Sequence, residues 1–117
     1  MSNFYTSIKQ SKKLIELGLD VNTADMWYDV MNNPRLDKRE DYQFAYIPAW
    51  SIISLLDWIK KNYPDYYMEI NSDCGMYHHW NIMITTYQKG VIQAIDKENL
   101  IDVIVEIICK ILTNNLE

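Results

Sequence analysis

The sequence predicts an α+β fold: N-terminal helices, then an α-β-β-β-α unit whose three-stranded antiparallel meander packs on the C-terminal helix. Three observations predict it. Apolar stripes of helical period follow cap residues at Ser7, Ser51 and Asp96. Apolar and polar residues alternate between Tyr77 and Tyr87, as a half-buried strand requires. Turn-forming residues at Asn71-Ser72-Asp73-Cys74-Gly75 and at Lys89-Gly90 separate three short strand-like runs. A chain of 117 residues is expected to form one domain, with 1–47 as an N-terminal helical segment and 48–117 as the α-β-β-β-α core.

Met1 to Tyr5 reads as a loose leader. Ser7 with Gln10 three residues on makes a capping box that opens a helix through about Leu17. Gly18 then sits where a left-handed residue ends a helix, and Leu19 can fold back as its hydrophobic contact. Asn22-Thr23 looks like a second cap, with Asp25 in the first turn of a short helix carrying Met26, Trp27, Val30 and Met31. Asn32-Asn33-Pro34 ends it, and the charged run from Arg35 to Glu40 is expected to be an exposed loop. The alternation of Tyr42, Phe44 and Tyr46 suits a short edge strand.

Pro48 and Ser51 both favour a helix start. Ile52, Leu55, Leu56, Ile59 and Tyr63 share its apolar face, Trp58 lies at the edge, and Pro64 stops it. Strands are expected over Tyr66–Ile70, Tyr77–Tyr87 and Val91–Ile95. Asp96 is the expected cap of the last helix. Asn99, Asp102, Glu106, Lys110 and Thr113 form one polar stripe there, leaving an apolar arc of roughly 200°. One sheet face covers about half of such an arc, so the rest must meet the other helices or a second subunit.

Composition narrows the function classes. A net charge of −5 disfavours nucleic acid and anionic membranes. The run from Leu100 to Leu112 is too short, and too interrupted by Asp102, Glu106 and Lys110, to span a bilayer. Cys74 and Cys109 are the only cysteines, and no signal-like apolar run follows a basic start, so a cytoplasmic protein with reduced thiols is expected.

Asp73, Cys74, His78 and His79 gather possible metal ligands in one segment. Their spacing matches no paired Cys or His pattern, and adjacent histidines on a strand point to opposite faces. A Cys74–His78 nucleophile pair would need an orienting group and an oxyanion site that no segment declares. No Gly-x-Ser-x-Gly, P-loop or dinucleotide-binding glycine pattern occurs. A non-enzyme with no metal, cofactor or small-molecule ligand is therefore expected. Trp27, Tyr28, Trp50, His78 and His79 remain as interaction candidates, because large amphipathic rings anchor interfaces when exposed. The partner they imply is a protein, or a second copy of the chain.

Three blocks carry a wider likeness. They are Gln10-Ser11-Lys12-Lys13-Leu14 running into Leu17-Gly18-Leu19 and Thr23-Ala24-Asp25-Met26; Ile47-Pro48-Ala49-Trp50-Ser51 with Leu55-Leu56; and Asn99-Leu100-Ile101-Asp102. In these the chain resembles a group of small phage- and prophage-encoded proteins of gut bacteria. The resemblance implies context and brings no activity, ligand or functional residue with it. In element order the second half also resembles double-stranded-RNA-binding domains, with Pro64 and Tyr66 before the first strand and Gly75 and His78 near their loop motif. That resemblance implies a nucleic-acid-binding module as the alternative function. However, Met76 replaces the loop proline, and Asp96-Lys97-Glu98-Asn99 stands where those domains carry a phosphate-binding lysine cluster.

Overall fold

The computed structural model of the chain describes residues 4–29, 31–35, 47–73, 79–86, 90–97 and 99–113. The fold is α+β, with three α-helices and two antiparallel three-stranded sheets among these residues. Helix α1 spans Ile8–Glu16 and starts where its capping box puts it. Ser7 Oγ accepts from the Gln10 N–H at 3.1 Å, and Gln10 Oε1 accepts from the Ser7 N–H at 2.9 Å. At the far end Gly18 takes φ +101°, a region open to a residue without Cβ. Its N–H bonds the Ile15 carbonyl, and the Leu19 N–H bonds the Leu14 carbonyl, both at 3.0 Å. This double closure brings Leu19 back into the core beside Leu14.

The second helix expected over Asn22–Met31 does not form. Asp20 caps a single 3-10 turn at Val21–Thr23, its side chain accepting from the Asn22 N–H at 3.0 Å. Strand β1, Met26–Tyr28, follows and pairs antiparallel with β2, Pro34–Arg35, and with β3, Ile47–Ala49. The reason is local. Asp25, expected to favour a helix start, instead spends its carboxylate on Ser51, accepting from both its N–H and its hydroxyl. Burial then alternates along Met26, Trp27 and Tyr28, the period of a strand. The supposed leader is also tied down from Phe4 onward. Thr6 N–H bonds the Trp50 carbonyl at 2.9 Å, and Ile52 N–H bonds the Phe4 carbonyl at 3.0 Å.

Helix α2, Ile52–Asn62, is capped by Ser51 and not opened by Pro48, which lies in β3 opposite Trp27. Leu55 and Ile59 are buried, with Ile52, Leu56, Trp58 and Tyr63 packed partly against the same core. The meander follows as β4, Tyr67–Asp73; β5, His79–Thr86; and β6, Gly90–Lys97, in the spatial order β4-β5-β6. The β4–β5 ladder is regular throughout. Between β5 and β6, Ile84 faces Gln93 while Thr85 faces Val91, an irregularity of one residue on β6. The short strand expected over Tyr42–Tyr46 lies outside the described residues.

Helix α3, Leu100–Leu112, starts later than expected. β6 runs on to Lys97, so Asp96 pairs with Asn81 in the ladder and Asn99 becomes the N-cap, without a side-chain cap bond. A good cap contributes about 1 kcal/mol, whereas each fully buried Val or Ile contributes about 1.5–3 kcal/mol. Packing therefore fixes this helix. Ile101, Val103, Ile104, Val105, Ile107, Ile108 and Ile111 are all buried, against β5 and β6 on one side and α1 and α2 on another. The broad apolar arc is thus filled by the chain's own elements. On its polar stripe, Asp102 Oδ1 accepts from Gln10 Nε2 at 2.7 Å and ties α3 to α1. No helix among the described residues is long and apolar enough to cross a membrane.

Candidate functional site

The sheet β4-β5-β6 has two unlike faces. Ile82 and Ile84 are fully buried under the helices, and Met68 and Ile70 join them across the ladder as the partners of Ile84 and Ile82. The alternate residues of β4, Tyr67, Glu69 and Asn71, are exposed. Among the described residues β4 is also an edge strand, so the backbone groups on its outer side are not used by the described sheet.

α2 meets the start of β4 at a groove that both line. Its core face is occupied, yet Ile53 stands 78% exposed on the opposite side. Asp57 and Lys61, one turn apart on this exposed side, pair at 2.9 Å. The turn joining α2 to β4 is braced by rings: Trp58 meets Tyr63 edge-on at 6.0 Å, and Tyr63 meets Tyr66 at 4.7 Å with the planes tilted by 34°. The Tyr66 N–H closes that turn on the Tyr63 carbonyl at 3.0 Å. Burial of the Tyr63 phenol, helped by Tyr66, raises its pKa above the usual tyrosine value. Between helix and strand lies an open apolar groove of about 520 Å³, lined by Ile53, Leu56, Tyr63, Tyr66 and Met68 with Lys60 at its margin. Ile70, 38% exposed, lies on the same face of β4 as Met68, whereas Tyr67, 63% exposed, lies on the other.

Two other hollows are more polar. One of about 360 Å³ lies between the 3-10 turn and α2, with Thr23, Asp25, Ser54, Asp57 and Lys61 on its walls. Its carboxylates are already engaged, Asp25 by Ser51 and Asp57 by Lys61. The other, of about 500 Å³, lies where α1, β1 and the start of α3 meet, and the Gln10–Asp102 bond belongs to its wall. Among the described residues, no three of His, Cys, Asp and Glu come together as a metal site would need.

The residues singled out in the sequence fall elsewhere. Trp50 is fully buried, its indole N–H donating to Thr23 Oγ1 at 3.0 Å. Tyr28 is buried too, with its hydroxyl donating to the Thr6 carbonyl at 2.6 Å and its ring edge-on to Tyr5 at 6.3 Å. Burial raises the Tyr28 pKa, and Tyr5 adds to this. Both therefore hold the fold together and are removed as surface anchors. Trp27 is half-buried in β1. His79 lies in β5 opposite Asp73, while His78 and Cys74 lie outside the described residues.

The groove was not foreseen, although one signal was available. Ile53 is off the α2 apolar stripe and shares a side with Asp57 and Lys60 at helical spacing, where an isoleucine gains nothing from the core. Comparison with protein-family models, with curated proteins and with solved structures finds no match for this chain.

Proposed function

We propose that this chain is a small non-enzymatic interaction protein that works through protein contacts at the α2–β4 face. One observation carries the reading: an apolar groove reaches Met68 of β4, a strand whose outer edge is unpaired among the described residues, with Ile53 standing out at the groove's rim. Such a combination offers both parts of strand-addition recognition. The edge supplies backbone hydrogen bonds, and the groove takes side chains. Single exposed apolar residues are ordinary, but Ile53 lines the groove together with Leu56, Tyr63, Tyr66 and Met68, and contiguous apolar surface marks interaction sites. The broad arc of α3 no longer supports association, because the chain itself buries it. A cytoplasmic setting and a phage or prophage origin belong to the same proposal and rest on the sequence alone.

Site-specific photo-crosslinking tests this. A photoreactive residue at Ile53 is expected to give protein adducts in cells, and one at Lys12, exposed on α1, is not. Absence of adducts at Ile53, or equal adducts at both positions, refutes the reading.

A second reading takes α2–β4–β5–β6–α3 as a nucleic-acid-binding module, favoured by element order alone. The start of α3 carries Asn99 and Asp102, and a carboxylate there repels phosphate. A gel shift at low salt with duplex RNA and duplex DNA decides the matter: no shift at micromolar protein removes it.

A further inference from the structure

We infer that the partner seated on the β4 edge is a second copy of this chain, paired antiparallel about Ile70 into a continuous six-stranded sheet. The inference rests on the α2–β4 face being the contact surface. Edge strands are normally guarded by charged side chains, lysine above all, by proline, by a bulge or by an overlying element. β4, Tyr-Met-Glu-Ile-Asn-Ser-Asp, carries the carboxylates Glu69 and Asp73 but neither lysine nor proline, and its ladder to β5 is regular from Tyr67 to Asp73. The one irregularity in the sheet lies on the far side, between β5 and β6. The β4 edge is therefore a straight template seven residues long.

The sequence of β4 is compatible with itself over its full seven-residue length in the register centred on Ile70. A two-fold axis through Ile70 sets Glu69 against Asn71 of the other copy, twice, and Ile70 against Ile70. No like charges face each other. Centring the pairing one residue earlier sets Glu69 against Glu69, which is repulsive. In the favoured register the two Ile70 side chains meet on the helix-covered side of the sheet, where each alone is 38% exposed. The axis is perpendicular to the sheet, so both helical layers stay on the same side and each copy's α2 groove turns toward the other's. Each chain carries −5, so the pairing is opposed at long range and tightens as salt screens it. A basic partner on the same edge would show the reverse.

Sedimentation equilibrium over a wide concentration range tests this with three proteins. The wild type is expected to dimerise, more tightly as salt rises from about 20 to 200 mM. Asn71→Glu places Glu opposite Glu69 at two symmetric positions and is expected to weaken the dimer by roughly two- to thirty-fold. Adding Glu69→Lys to Asn71→Glu restores opposite charges and is expected to recover the wild-type constant or better. Position 71 is exposed, so folding is checked simply by circular dichroism. A monomeric wild type at the highest concentration overturns the inference, as does a dimer indifferent to Asn71→Glu. In the first case, Ile53 adducts with a different protein would leave the α2–β4 reading standing and remove only the self-pairing.

Discussion

Replacing Thr6 by valine removes one hydroxyl from the most connected point of the N-terminal half. Thr6, Ser11 and Trp50 are all fully buried. Thr6 Oγ1 accepts from the Trp50 N–H at 3.1 Å and shares a hydrogen bond of 2.7 Å with Ser11 Oγ. Valine fills the same space but offers no acceptor. The Trp50 N–H and the Ser11 hydroxyl then lose this partner away from water, and a buried donor stripped of its acceptor costs about 1–3 kcal/mol. Because two groups are affected, Thr6→Val is expected to destabilise by about 2–4 kcal/mol. Thr6→Ser keeps the hydroxyl and loses one methyl, at about 1 kcal/mol. Urea unfolding followed by tryptophan fluorescence measures both. With m near 2 kcal/mol/M, Thr6→Val moves the midpoint down by about 1–2 M at constant m. Thr6→Val combined with Ser11→Ala is expected to cost less than the sum of the two single changes, since the Ser11 hydroxyl is no longer stranded. A Thr6→Val protein within about 0.5 kcal/mol of wild type, a difference ordinary for surface changes, would refute the reasoning. So would Thr6→Ser being equally damaging.

Three further outcomes follow from the same structure. Gly18→Ala meets no steric neighbour, but alanine at φ +101° is strained, so a loss of about 1–2 kcal/mol is expected in the same urea assay. Asp29 is held below the usual carboxylate pKa, chiefly by the Asn33 N–H and also by the Met31 N–H and Arg35. Its folded pKa is depressed, so its contribution is present above the ordinary carboxylate pKa and lost as pH falls through the folded value. Asp29→Asn should therefore lose less stability than wild type on acidification below about pH 4, and equal acid limbs would contradict this. Burial pushes the Cys109 thiol up, with Glu106 adding and Lys13 opposing. The raised pKa gives a contribution present below the ordinary thiol pKa and lost as pH rises through the folded value. In a Cys74→Ser background, Cys109 should react with a disulfide reagent at about pH 8 far more slowly than in urea-unfolded protein, and equal rates would contradict its burial.

Much of the fold was legible because the deciding forces are local. The Ser7–Gln10 box, the Gly18 stop, the Ser51 cap and the alternation in β5 each need only neighbours in sequence, and each places an element close to where it lies. The failures have one cause, tertiary partners that sequence spacing does not reveal. Asp25 has the character of a helix-start residue, but Ser51, 26 residues on, takes its carboxylate. Asp96 has the character of a cap, but the ladder to Asn81 holds it in a strand. Trp50 and Tyr28 are interaction candidates only if exposed, and Thr23 and Thr6 satisfy their polar ends inside the protein. The groove was hidden for a related reason. It requires knowing that β4 is an edge and that α2 turns Ile53 outward, and both are facts of assembly.

Amide hydrogen exchange along the chain, at dilute and at concentrated protein, tests most directly whether the β4 edge pairs with a second copy. Concentrating the protein is predicted to slow exchange in Tyr67–Asp73 and to leave the 3-10 turn and α1 unchanged. Slowing confined to α1 or the 3-10 turn, or no concentration dependence at β4, would contradict the self-pairing.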